Sequence, residues 1–371
     1  MKKIKNLPNF LETQESITSF ASSILNTDRI GIDTEFIRTR TFFPKLCLLQ
    51  ISSEQHSICI DVLKKNDLTL IWKEIFDPSK LKILHSARQD LEIFYLINKK
   101  IPPNIFDTQI AASLLGYSSQ IGIKQLLKQE LDIEINKTET RSDWSKRPLN
   151  AKQIQYAIED VKHLVSLHSV LKKKLIDKGR YDWVLEDSSK IMSNPKDFFN
   201  PHHSWKRISE IKNLRKKYQN LAVKLAIWRE TTAMEIDLPR QWALNDKSLI
   251  KIAKTKPNSL DQFNRLSIDT SNLKTIHQEQ ILNIISQDLN ATDKSRTLKQ
   301  KKRKLHLDPN LLKNFRKCID EKALELNIPS DILASKKDCL SMLNDTNNSR
   351  LLNGWRKKVI GARLLKLLGN N

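Results

Sequence analysis

Glycine is scarce here: seven residues in 371, none of them arranged as G-x-x-x-x-G-K-[ST] or G-x-G-x-x-G. That excludes P-loop nucleotide hydrolysis and dinucleotide-dependent redox chemistry, which need glycine backbones lying close against phosphates, and no nucleotide cofactor is expected. Cysteine is scarcer still. Cys47, Cys59, Cys318 and Cys339 stand singly, without a C-x-x-C pair, so neither a zinc ribbon nor a disulfide framework is indicated. The four read as reduced core thiols of a cytoplasmic protein. Aromatic residues make up 6% of the chain and do not gather among the basic residues, so a base-stacking platform of the RRM kind is not expected. No run of eighteen apolar residues occurs, and the first fourteen residues lack an apolar signal core, so neither a membrane span nor export is expected.

What the chain has in excess is positive charge: 64 Lys and Arg against 42 Asp and Glu, a formal net of +22. The surplus is uneven, with 29 basic and 24 acidic residues up to position 190 but 35 and 18 beyond it. A cationic excess confined to one part of a chain is the footprint of a polyanion partner, because each phosphate neutralised releases condensed counterions. Nucleic acid is the candidate. The densest run, Arg296 to Lys304, is cationic at six of nine positions and includes Lys301 and Lys302. It suits a phosphate-tracking segment or, more plainly, a solvated linker.

The first half alternates strand-like and helix-like stretches, which predicts an α/β domain with a mixed sheet. Strands are expected at residues 29–37, 46–52, 57–61 and 82–85, with another reaching Asp107. Helices are expected at 68–76 and 88–98, and one long amphipathic helix at 151–178, stopped by Gly179. Turn and breaker residues at 188–212 mark a boundary, and everything beyond reads as helical. There, a shift of 90 residues lays Ala233-Met-Glu-Ile-Asp-Leu-Pro239 over Ala323-Leu-Glu-Leu-Asn-Ile-Pro329, with Leu221 over Leu311 and Leu225 over Phe315. Equal flanking spacing points to a duplicated small helical domain.

Asp33 and Glu35, two apart on a strand, project from one face about 7 Å apart along the backbone. Alone, such a pair is ordinary strand surface. Asp90 falls in the first turn of the helix after the strand ending near His85, where an Asp suits the positive end of the macrodipole. Tyr156 and Asp160, four apart on the long helix, stack on one face, with Glu159 turned away.

Taken together these residues resemble a known pattern. Asp33-Thr-Glu35, then Asp90 in His85-Ser-x-x-x-Asp-Leu-Glu, then Tyr156-x-x-x-Asp160 resembles the three exonuclease motifs of the DEDD superfamily in its tyrosine-bearing branch. Ile105-Phe-Asp-Thr-Gln and Arg141-Ser-Asp-Trp-Ser-Lys-Arg-Pro-Leu149 look like segments of the ribonuclease D family. Leu221 to Glu230 followed by Asp237-Leu-Pro-Arg240 is similar to the helical HRDC domain, and Leu351-Leu-Asn-Gly-Trp-Arg356 looks like the end of a diverged second copy. The histidine-bearing branch is disfavoured, because its His position holds Gln155. The resemblance implies a ribonuclease H-like exonuclease domain over 1–190, a linker over 191–210, an HRDC domain over 211–290 and a second, diverged one over 291–371 with a basic lead-in.

It further implies a metal-dependent 3′-to-5′ exoribonuclease that releases 5′-mononucleotides, with transfer RNA precursors as substrate and the monomer as working form. Two divalent ions, Mg²⁺ or Mn²⁺, suit four carboxylates in charge and hardness. By the family's pattern Asp33 bridges both ions, Glu35 and Asp160 hold the one that activates water, and Asp90 holds the other. Tyr156, a phenol with an ordinary pKa near 10, is expected to orient the water rather than act as base. Lys146, Arg147, Arg229, Arg240, Lys301 and Lys302 are candidate RNA contacts, each against a reading as surface or ion pair. Trp144 and Trp183 are expected in packing, and His85 as a hydrogen-bonded structural residue. A DNA 3′-exonuclease and a catalytically silent RNA-binding adaptor are the alternatives. A fragment ending near residue 205 is expected to keep hydrolysis while binding transfer RNA more weakly.

Overall fold

In the computed structural model, the described residues are 9–135, 139, 142–191, 194–195, 199–290, 309–344 and 349–369. The run 296–304, with Lys301 and Lys302, and Arg141 of the quoted motif lie outside them. In chain order the elements are β1 (Phe10–Leu11), α1 (Gln14–Ser23), β2 (Arg29–Ile37), β3 (Lys45–Ser52), β4 (Ser57–Asp61), α2 (Thr69–Phe76), β5 (Leu81–Leu84), α3 (Arg88–Asn98), β6 (Ile105–Asp107), α4 (Thr108–Leu114), α5 (Ile123–Leu131), α6 (Ala151–Lys162), α7 (Leu164–Asp177) and α8 (Tyr181–Ser189). Helices follow: α9 (Ser209–Asn213), α10 (Lys216–Glu235), α11 (Arg240–Ala243), α12 (Asp246–Thr255), α13 (Leu260–Asn264), α14 (Thr275–Asn290), α15 (Pro309–Leu326), α16 (Ser330–Leu333), α17 (Lys336–Asn344), α18 (Gly354–Arg356) and α19 (Ala362–Gly369).

The strands form one mixed sheet ordered β1-β4-β3-β2-β5-β6. β3 and β4 pair antiparallel, as their short connection requires, whereas β2–β5 and β5–β6 pair parallel through crossovers that carry helices. β2 therefore lies inside the sheet. Its Ile30, Ile32 and Thr34 are buried on one face, while Asp33 and Glu35 on the other keep partial exposure. The long helix expected at 151–178 is two helices: α6 stops at His163 and α7 starts there, before Gly179 adopts φ 63°.

The chain divides into two compact units, and not in sequence order. One holds residues 1–37, 46–193 and 305–371; the other holds 38–45 and 194–304. In the first, the C-terminal helices complete the core: Phe315, Leu333, Trp355 and Leu364 are buried in one cluster with Phe106, Leu114 and Leu171. Asp187 of α8 receives a two-pronged ion pair from Arg356, at 2.6 and 2.8 Å, with both side chains under 9% exposed. Trp183 stacks on Trp355 with ring centres 4.3 Å apart, which is packing, as expected of it.

The 90-residue register continues in three dimensions. Asp237 and Asn327 both take φ near 50°, and Leu238 N donates to Ala233 O just as Ile328 N donates to Ala323 O, each at 3.0 Å. α11 and α16 start 90 residues apart, as do α12 and α17, which Asn245 and Ser335 cap by accepting from Ser248 N and Asp338 N. In the second unit Asp237 has a further task. Its Oδ1 accepts from Phe42 N and Phe43 N, both at 3.0 Å, and Phe42 is buried in a cluster with Ala233 and Ala243. The stretch leaving β2 is thus held by the first helical repeat.

Candidate active site

Asp33 and Glu35 reach the same face of β2 by the two-residue period of a strand. Asp160 reaches them from α6, whose start is fixed by a reciprocal cap: Asn150 Oδ1 accepts from Gln153 N at 2.9 Å and Gln153 Oε1 accepts from Asn150 N at 3.0 Å. Two further contacts press the α6–α7 junction onto the sheet. Ser52 Oγ of β3 donates to Val161 O at 2.7 Å. Gly31 lies on the Asp33 face, where a Cβ would meet Leu164 Cβ at 2.9 Å and crowd Ser52 Oγ, so only glycine lets the helix come this close. Carboxylate oxygens of Asp33, Glu35 and Asp160 consequently lie within 4.8 Å of one another.

Three like charges at that separation repel, each pair by about 1 kcal/mol in water and more where solvent is excluded. Their field is felt nearby: burial first, then the charges of Glu35, Asp33 and Asp160, push the Cys59 thiol far above its ordinary value. Three hard oxygen donors converging from two elements fit a divalent ion that prefers oxygen ligands.

Asp90 stands outside this group of three. It is 6% exposed in the first turn of α3, and Thr34, the residue between Asp33 and Glu35, donates its hydroxyl to Asp90 Oδ1 at 2.5 Å. The start of α3 has no cap of its own. Asp107 of β6 supplies one from across the sheet, accepting from Ser86 N at 3.2 Å and Ala87 N at 2.8 Å while also capping α4. Burial, helped by the Asp107 charge and opposed by the Thr34 hydrogen bond, raises the Asp90 carboxyl to about 7. Below that pH Asp90 holds a proton that any metal must displace. In the metal-free chain the folded state keeps this proton where the unfolded chain releases it, so Asp90 costs stability as pH rises from the ordinary carboxylate range to about 7. Calorimetric titration with Mn²⁺ is expected to show tighter binding at pH 8 than at pH 6, with a proton released; equal affinities would remove Asp90 from the metal site.

Tyr156, one turn before Asp160, is 6% exposed in a cluster with Cys47, Leu48 and Cys59, its ring centre 5.8 Å from that of Trp144, which is buried as expected. Gln155 is exposed and donates to Glu159 at 2.7 Å, away from the cluster. His85 is structural: its ring nitrogens lie 2.9 Å from Thr108 Oγ1 and 3.1 Å from Ile121 O.

The candidate RNA contacts fare differently. Lys146 is exposed. Arg147 is not available for phosphate, since it clamps buried Asp61 through two bonds of 2.7 Å and also donates to the carbonyls of Cys47, Trp144 and Lys146. Arg229 is 1% exposed, bonded to Asp246 at 2.6 Å and Leu244 O at 2.9 Å. Arg240 forks onto Glu230 with two bonds of 2.9 Å and lies over the Phe42 ring. The structure instead engages all three within the protein: Arg147 commits all five of its donors, Arg229 is buried, and Arg240 gives two of its five to buried Glu230. Thr34, Asp107, Ser52 and Gly31 were not singled out by sequence. Only Gly31 left a signal, as a lone glycine inside a strand pattern.

Carboxylates gathered from an inner strand of a mixed sheet and its covering helix are the equipment of a divalent-metal-dependent 3′-to-5′ exonuclease. A family described as 3′-5′ exonuclease matches residues 8–176, and the HRDC domain family matches residues 219–285. The chain is 32% identical over 365 residues to the ribonuclease D of Gluconacetobacter diazotrophicus, covering 97% of this chain and 92% of that one. It is 30% identical to that of Desulfotalea psychrophila, covering 95% and 96%. Among solved structures it is similar to Escherichia coli RNase D, described as an exoribonuclease involved in structured RNA processing, with a TM-score of 0.86, 26% identity, and 97% and 98% of the two chains covered. The chain belongs to the ribonuclease D family of 3′-to-5′ exoribonucleases. Its C-terminal part includes a helical HRDC domain, and no helix of the described residues is long and apolar enough to cross a membrane.

Proposed function

We propose that this enzyme shortens the 3′ tails of structured RNA, transfer RNA precursors among them, releasing 5′-mononucleotides in the cytoplasm as a monomer. The observation that carries the chemistry is the convergence of Asp33, Glu35 and Asp160 within 4.8 Å from two separate elements. Asp33, Glu35, Asp90 and Asp160 would hold two divalent ions, Mg²⁺ or Mn²⁺, with Asp33 shared between them. Such ions, when bound, lower the pKa of water and neutralise charge on the scissile phosphate. The protein's own part is geometric: β2 and α6 fix three ligands, and Thr34 and Asp107 fix the fourth. Tyr156 donates a hydrogen bond from its hydroxyl that orients the attacking water.

Structured RNA as substrate is supported by the description of the similar E. coli enzyme, and by the basic surplus beyond residue 190. A reducing compartment suits four cysteines that are all free and buried. We divide the chain into an exonuclease domain over 1–190, a linker over 191–210, an HRDC domain over 211–290 and a second HRDC-like domain over 291–371. Support for the second copy is the 90-residue register of helix starts, caps and left-handed corners. The test is mononucleotide release from a 3′-extended transfer RNA. Release that stops with EDTA and returns with Mn²⁺ is expected, and no turnover of any 3′-ended RNA with Mn²⁺ supplied would leave the silent adaptor. A matched DNA oligonucleotide is expected to be cut far more slowly; equal rates would favour the DNA exonuclease.

A further inference from the structure

Six of the seven tryptophans are buried or half-buried, and Trp242 alone is exposed, at 48%. Its backbone is fixed from both sides. Trp242 N donates to Pro239 O at 2.7 Å, and Asn272 Nδ2 donates to Trp242 O at 3.1 Å. The neighbours of Trp242 on α11 are anchored as well: Arg240 grips Glu230 and covers Phe42, and Ala243 is fully buried. The indole thus projects into water from a rigid corner, forgoing the gain that burial brings an aromatic side chain.

The internal repeat supplies a control. Ninety residues on, the same corner of α16 carries Ile332, which is partly buried and packs against the core of its unit. Where the corner is covered the side chain is aliphatic, and where it is open an indole stands. Folding of the corner therefore does not call for the indole. The domain that carries it is net cationic: residues 201–290 hold 15 Lys and Arg against 9 Asp and Glu, and Lys247, five positions on, is exposed in the first turn of α12. A flat aromatic face on a rigid element of a cationic domain is complementary to an unpaired base with phosphates on either side.

We propose that Trp242 is a stacking site for one unpaired RNA base, carried by the HRDC domain. This rests on the RNA reading above. The test is fluorescence anisotropy of a labelled, unstructured 20-nucleotide RNA with the full chain in EDTA, where no hydrolysis intervenes. Trp242→Ala is expected to raise Kd about 5- to 150-fold, Trp242→Phe by no more than about threefold, and Leu324→Ala, an exposed apolar control, not at all. With 2-aminopurine placed at successive positions, one position is expected to be quenched by the unaltered chain and by Trp242→Phe but not by Trp242→Ala. A Kd that Trp242→Ala leaves unmoved, while the unaltered chain binds RNA, overturns this proposal alone. No RNA binding by the unaltered chain overturns the RNA reading with it. Self-association in sedimentation velocity that Trp242→Ala abolishes would make the surface a protein contact and overturn the proposal equally.

Discussion

Asp33→Asn is expected to lower kcat for mononucleotide release by at least about a thousandfold, and Asp160→Asn to match it. The amide keeps the shape of the side chain and removes the charge, so only two of the three converging carboxylates remain to hold a cation. Loss of activity alone would not separate a ligand from a structural residue. Stability does: in EDTA, exchanging one of three carboxylates that lie within 4.8 Å of one another for its isosteric amide is expected to leave Tm little changed. Mn²⁺ is then expected to raise Tm of the unaltered chain, through binding to the folded state, and to raise that of the variants much less. A fall in Tm of several degrees for Asp33→Asn in EDTA would show that the carboxylate holds the fold and not the metal. Tyr156→Phe, which removes one hydrogen-bond donor, is expected to cost about a hundredfold or less. An equal collapse of all three variants would rule out the water-orienting role.

The second large effect concerns the C-terminal helices. Arg356→Met is expected to destabilise the chain by about 3 kcal/mol, because Asp187 loses the cation that grips both of its oxygens and keeps only Arg350 at 3.6 Å. Chemical denaturation gives the figure, and Asp187→Leu in the same chain is expected to recover much of it, since removing both charges also removes the penalty. A loss under about 1 kcal/mol for Arg356→Met would mean that the ion pair is solvent-screened. Ending the chain near residue 205 goes further. It strips Phe315, Leu333, Trp355 and Leu364 from the core they share with the exonuclease helices. Such a fragment is expected to aggregate or to melt without cooperativity. The expectation that it would hydrolyse RNA on its own followed from reading the domains as beads in order, and the packing of α8 against α18 leads to the opposite prediction.

Much of the exonuclease domain was legible because local rules govern it. The alternation over β2 and the short link between β3 and β4 fixed strands and pairing, and the two- and four-residue spacings placed Asp33 with Glu35 and Tyr156 with Asp160 before any packing was known. The break at His163 was not legible: the amphipathic pattern runs on through it, and the need to bring Asp160 over β2 lies in contacts from Gly31 and Ser52. The ion pairs of Arg147, Arg229 and Arg240 were not legible for a related reason. A sequence shows that an arginine is present, not whether a carboxylate waits for it in the fold; Glu230 and Asp61 are far along the chain from some of the guanidiniums they hold.

By itself the sequence determined the kinds of element, the order of the acidic motifs, the 90-residue repeat and the polyanion-seeking charge, since each depends on residue type and spacing along the chain. The tertiary structure alone decided that three carboxylates meet while Asp90 is held by Thr34 and Asp107, that the two repeats belong to different compact units, and that a single tryptophan is left in water. These are long-range matters, set by which surfaces find partners when the core closes, and no local pattern carries that information.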